Sequence, residues 1–147
     1  MEEKIKNHSQ EIFSKIKGYR EHLHQNPELS YEEFETSKFI QQKLQGWNIP
    51  FEIKATTGVV GLIKGKKPDK KIIALRADMD ALPIHELSTA KYCSTIPNVM
   101  HACGHDVHTA SLLGTAIILN ALKNEWEGSV KLIFQPSEEK QPSGAKA

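Results

Sequence analysis

The densest group of side chains able to do chemistry is Met100–His108, Met-His-Ala-Cys-Gly-His-Asp-Val-His. It offers His101, Cys103, His105, Asp106 and His108 in one short stretch. Thiolate, imidazole and carboxylate are the donors that borderline-soft divalent ions accept. Gly104 allows the backbone to bend so that Cys103 and His105 both turn inward. One histidine near a helix start is ordinarily a cap or a surface residue. A run of donors, with acidic pairs elsewhere at Asp78/Asp80 and Glu138/Glu139, points instead to a bound metal.

The elements that must position these groups follow from hydrophobic period. Ile12, Phe13, Ile16, Tyr19 and Leu23 predict an amphipathic helix over about 8–24, stopped by Asn26-Pro27. Ser30 and Glu33 have capping-box spacing before a second helix that ends near Gly46. His22 and His24 read as surface residues at a helix C-terminus. From Pro50 the period becomes two: Phe51, Ile53 and Ala55 alternate as in a half-buried strand, and Val59–Lys64 forms another. Lys66–Lys71 is a basic turn. Ile72–Leu75 is apolar without alternation, as in a strand buried on both faces, and leads into Asp78 and Asp80.

Val107–Leu122 predicts a helix apolar nearly all round, with Gly114 permitting close packing on a sheet. Val130, Leu132 and Phe134 alternate in a last strand that ends just before Glu138-Glu139. The order α, α, β, β, β, α, β defines an α/β fold. Carboxyl ends of strands in such sheets are where ligands gather. The three donor groups are therefore expected to converge on one sheet edge.

Composition narrows the partners. The 147 residues suffice for a domain with a core, and a formal charge of +1 gives no reason to expect nucleic acid or an anionic membrane. No apolar stretch reaches membrane-spanning length, and the N-terminus lacks an apolar signal core. The two cysteines, Cys93 and Cys103, could form a disulfide, but with no export signal they suggest a reducing, cytoplasmic setting in which Cys103 is free to serve as a thiolate.

Metal-dependent catalysis needs ligands and a separate proton-moving group. Adjacent glutamates provide both: one binds the ion and the other faces the bound water. Asp80 is placed to orient an imidazole ligand from behind.

Ala77–Pro83 (ADMDALP), Met100–Thr109 (MHACGHDVHT) and Phe134–Glu139 (FQPSEE) resemble the signature of the M20 metallopeptidase and amidohydrolase family. The likeness is to the branch of hippurate hydrolases, N-acyl-amino-acid amidohydrolases and auxin-conjugate hydrolases, and Leu23–Ser30 (LHQNPELS) resembles that branch too. The resemblance implies a zinc-peptidase-like catalytic domain with a mixed, mostly parallel sheet flanked by helices. It implies two divalent ions, manganese or zinc with cobalt or nickel acceptable, and hydrolysis of a small N-acylated amino acid. By position, Cys103, His105 and Glu139 match metal ligands, the thiolate bridging. Glu138 matches the general base and Asp80 the aspartate behind the ligands. Asp78 stands where other branches carry a ligating histidine and is not counted as one.

Members of the family are longer, and the resemblance implies further histidine ligands and an inserted dimerisation domain not found within residues 1–147. The chain is therefore expected to be the N-terminal part of a catalytic domain whose full-length form is a homodimer. Taken alone it should be incomplete, inactive and poorly soluble, missing strands beside Val130–Phe134. Two other readings stand: a non-catalytic metal-binding or assembly remnant, and a redox or nucleophilic thiol at Cys103 with His105 beside it.

Overall fold

The computed structural model describes residues 1–146. Its elements run α1 (Glu2–Gln25), α2 (Phe34–Gly46), β1 (Phe51–Lys54), β2 (Gly58–Lys64), β3 (Ile72–Asp78), α3 (His105–Ala121), β4 (Ser129–Gln135) and a short 3₁₀ turn, Gly144–Lys146. The strands form one mixed sheet in the order β1-β2-β4-β3, flanked by helices. Only β3 and β4 are parallel; β1–β2 and β2–β4 are antiparallel. The parallel part expected to dominate is thus a single β3–α3–β4 crossover. None of the described helices is long and apolar enough to cross a membrane.

Helix α1 starts earlier than its apolar spacing predicts. Glu2 and Glu3 occupy its first turn, where negative charge complements the helix dipole. The capping box does not form. Glu33 stands at the N-cap of α2 without capping it, and Glu28 does that work: its Oε1 accepts from the Glu35 amide at 3.0 Å and its Oε2 from Thr36 at 2.7 Å. Ser30 and Glu33 are committed elsewhere.

Alternation holds in β4, where Val130, Leu132 and Phe134 face the core. These residues meet Val59 and Ile63 of β2, Ile40 and Leu44 of α2, and Leu112, Leu113 and Ala116 of α3. Two strands depart from expectation. β1 is an edge strand with only Phe51 partly covered. β3, expected to be buried on both faces, is the other edge, with Ile72 64% and Ile73 46% exposed. An apolar run marks a strand able to be covered on both sides, and among the described residues β4 is its only neighbour. The open edge accordingly belongs to β3, and β4 is already paired on both sides.

Gly114 also serves a different partner from the one expected. A Cβ there would lie 3.2 Å from the Ile16 side chain, so the missing side chain lets α1 close on α3.

Candidate metal centre

Parallel pairing is what assembles the site. Because β3 and β4 run the same way in register, with Asp78 opposite Gln135, their carboxyl ends emerge side by side. The Met79 amide donates to the Gln135 carbonyl at 3.0 Å and extends that alignment one residue further. Asp80 and Glu138-Glu139 therefore leave the sheet together. The amino end of α3 is set against them: Thr109 Oγ1 donates to the Asp78 carbonyl at 2.9 Å. Gly104, at the N-cap, has φ +79°, a left-handed conformation that glycine takes without strain.

His105 is the hub. Its Nδ1 lies 2.9 Å from the Asp80 main-chain oxygen and 3.2 Å from Asp80 Oδ1. That hydrogen bond places the proton on Nδ1 and leaves Nε2 with a lone pair. Nε2 looks toward the glutamates, 3.9 Å from Glu138 Oε2 and 3.8 Å from Glu139 Oε1. The three ligand atoms lie within 4.8 Å of one another. Two ligands of a tetrahedral ion at about 2.0–2.1 Å are roughly 3.3 Å apart, so a modest contraction closes the group on a cation. Imidazole with two carboxylates is a donor set that divalent transition ions accept.

Asp80 is buried and held from three sides. Its Oδ2 accepts from Ser30 Oγ at 2.6 Å and from the Glu139 amide at 3.0 Å. Burial alone would raise its pKa, but His105, Ser30 and the amides of Glu138 and Glu139 outweigh that and hold the carboxyl well below its ordinary range. In return the Asp80 carboxylate raises the pKa of His105 against the opposing effect of burial.

Cys103 is exposed and stands outside the tight group. It faces Glu139, whose carboxylate, with Glu138 and Asp80, raises the thiol pKa. Without a metal these neighbours favour the protonated thiol; the thiolate that the resemblance implies is that of a metal-bound cysteine. A bound cation would reverse the local field and favour the thiolate. Asp78 and His108 form another donor group with His105. Asp78, however, is engaged by Arg76, whose Nη2 and Nε lie 2.7 and 2.8 Å from its Oδ1. A carboxylate paired with an arginine is a poorer ligand than Glu138 and Glu139, which face no Lys or Arg among the described residues.

One polar cluster behind the site was not foreseen. His24, expected at the surface, is buried with its Nδ1 2.6 Å from Asp106 Oδ2 and its Nε2 3.2 Å from Glu86 Oε1. Arg20 Nε reaches the same Asp106 oxygen at 2.9 Å. The signal was in the chain: Arg20 and His24, four apart, share one face of α1, and an aspartate opening an apolar helix needs a cation once buried. His22 does stay exposed, its ring stacked on Phe39. His101 is buried with neither ring nitrogen partnered among the described residues. Burial lowers its pKa to about 4, with Asp106 opposing and His24 and His105 reinforcing the shift.

Fold and site together define an α/β domain with clustered metal donors at the carboxyl edge of its parallel strands. The chain belongs to the peptidase family M20/M25/M40, which residues 74–147 match. It is 49% identical over 139 residues to thermostable carboxypeptidase 2 of Saccharolobus solfataricus, covering 93% of this chain and 35% of that protein. It is 42% identical over 144 residues to the N-acyl-L-amino acid amidohydrolase of Geobacillus stearothermophilus, covering 97% and 39%. Among solved structures it superposes on a dinuclear metal-binding M20 peptidase of Bacillus subtilis with a TM-score of 0.88 and 42% identity, over 93% of this chain and 39% of that one. The chain spans a little over a third of the length of these relatives.

Proposed function

We propose that this chain carries the core of a metal-dependent amidohydrolase site, acting in the full polypeptide on the amide bond of an N-acylated amino acid. The observation that carries this reading is the convergence of His105 Nε2, Glu138 and Glu139 to within 4.8 Å of one another, with Asp80 fixing the His105 tautomer. The similarity to an N-acyl-L-amino acid amidohydrolase supplies the substrate class. The likeness to a dinuclear metal-binding peptidase supports a pair of metal ions; manganese or zinc is what the motif resemblance implies.

His105 and Glu139 would hold the metal, joined by Cys103 once its proton is displaced. These donors serve one ion with a position left open, and a second ion needs donors beyond them. When bound, a divalent ion lowers the pKa of water from about 16 to about 7 and polarises a carbonyl. Glu138 is the general base: it takes the proton of the attacking water and returns it to the departing amine. Asp80 keeps His105 aimed and its Nε2 unprotonated.

The test uses the complete gene product, assayed for amine release from N-acetyl and N-benzoyl amino acids after loading with manganese or zinc. Glu138→Gln should lower kcat by about 10²-fold or more while leaving metal bound. Activity that survives this substitution, or that chelators leave untouched while thiol alkylation abolishes it, would overturn the reading. Metal binding without hydrolysis in the complete protein would favour a binding role.

A further inference from the structure

We propose that Ser30 and Glu33, in the connection between α1 and α2, are positioning residues that brace the two carboxylate-bearing segments of the metal site. The inference rests on the metal-centre reading above. The connection lies against the segment after β3: Leu29 bridges Ala81, and the Ala81 amide donates to the Glu28 carbonyl at 2.8 Å. From there Ser30 Oγ donates to Asp80 Oδ2 at 2.6 Å. The same oxygen takes the Glu139 amide, so Ser30 anchors the atom that ties Asp80 to the glutamate turn.

Glu33 acts one step further along. It is 0% exposed, and no cation pairs with it among the described residues. Its two oxygens are spent on neutral donors: Oε1 accepts from the Ser137 amide at 2.8 Å and Oε2 from Thr57 Oγ1 at 2.7 Å. A buried carboxylate without a counter-charge is costly, and an apolar side chain of similar volume would fill the space more cheaply. What an apolar group cannot do is hold the Ser137 amide. Ser137 has φ +47°, a left-handed conformation disfavoured for serine, and it immediately precedes Glu138 and Glu139. Glu33 thus fixes the turn that aims both glutamates, and Thr57 from the β1–β2 turn fixes Glu33.

The experiment titrates Mn²⁺ into the metal-stripped complete gene product by calorimetry and follows hydrogen exchange of the Ser137–Glu139 amides without metal. Ser30→Ala and Glu33→Gln should each weaken Mn²⁺ binding by about tenfold, the scale on which partners behind a ligand act. Ser30→Thr, which keeps the hydroxyl, should restore it, and Glu33→Gln should speed exchange at Ser137–Glu139. Thr57→Val, which frees Glu33 Oε2, should weaken Mn²⁺ binding in the same direction but by less than Glu33→Gln does. Should Ser30→Ala and Glu33→Gln bind Mn²⁺ as the parent does, or lose only Tm, both residues are structural and the proposal falls. If Glu33→Gln does not fold, the Ser30→Ala and Ser30→Thr pair decides. A parent protein that binds no Mn²⁺ would refute the metal centre itself. The brace would then be judged by exchange alone, and unchanged exchange in Glu33→Gln would overturn it.

Discussion

At His105 the main-chain oxygen of Asp80 accepts the Nδ1 hydrogen bond, which leaves Nε2 facing Glu138 and Glu139. This pairing was legible at residue level, since acids just past an apolar strand need a partner. So were Glu138 and Glu139 as neighbours of His105. The fates of Ser30, Glu33 and His24 were not legible. A Ser-x-x-Glu spacing describes a capping box locally, and only the tertiary fold reveals that Asp80, Thr57 and Ser137 outbid the helix amides for those side chains. His101 yields a prediction at the same scale. The folded chain holds it neutral, with a pKa of about 4, whereas the unfolded chain protonates it below about 6.5. Stability is therefore undiminished above about pH 6.5 and falls as pH drops toward 4, by on the order of 3 kcal/mol for this one group. Urea unfolding in chelator at about pH 7 and about pH 4.5 should show a smaller loss for His101→Phe than for the parent. That variant should cost little at neutral pH, because neither ring nitrogen has a partner to lose. Equal losses in both proteins would show that His101 does not titrate as described.

Among the elements, helix α3 and strand β4 were readable from period, and β3 was readable as a strand though not as an edge. Apolar content tells what a strand can bury and says nothing of how many neighbours it has, so Ile72 and Ile73 misled. The placement of α1 was readable only in part. Its apolar stripe announced a packed face, but the Gly114–Ile16 contact and the Arg20–Asp106–His24 cluster that lock it to α3 are long-range. These contacts also hold the amino end of α3, and hence His105, in place. Asp106→Ala removes the acceptor that His24 and Arg20 share and leaves the buried His24 between Glu86 and the Arg20 guanidinium. Loss of one member of a buried ionic cluster is expected to cost about 3 kcal/mol, read as a lower denaturant midpoint in metal-free protein. A loss under about 1 kcal/mol would mean that the cluster contributes little to joining the helices.

For the molecule as a whole, the donors lie where two parallel strands and one helix amino end meet, and three distant sequence motifs become one site through that single topological fact. The same topology leaves β3 open, with Ile72, Ile73 and, at the start of α3, Val107 exposed. An unpaired apolar edge is a template for further pairing. The 147-residue polypeptide produced by itself should therefore self-associate in light scattering and bind a hydrophobic dye, and a Lys substituted at Ile72 should reduce both. A monodisperse monomer that ignores the dye would contradict this.

If His105, Glu138 and Glu139 gather around a divalent ion with Cys103 at hand, removing His105 or Glu139 must weaken its hold. Mn²⁺ or Zn²⁺ is titrated by calorimetry into the stripped complete protein, with His105→Ala and Glu139→Ala in parallel. Saturable binding by the parent, with affinity lowered by about tenfold or more in each variant, is the predicted result. Binding of equal strength in all three proteins would place the metal elsewhere, and neither His105 nor Glu139 would be its ligand.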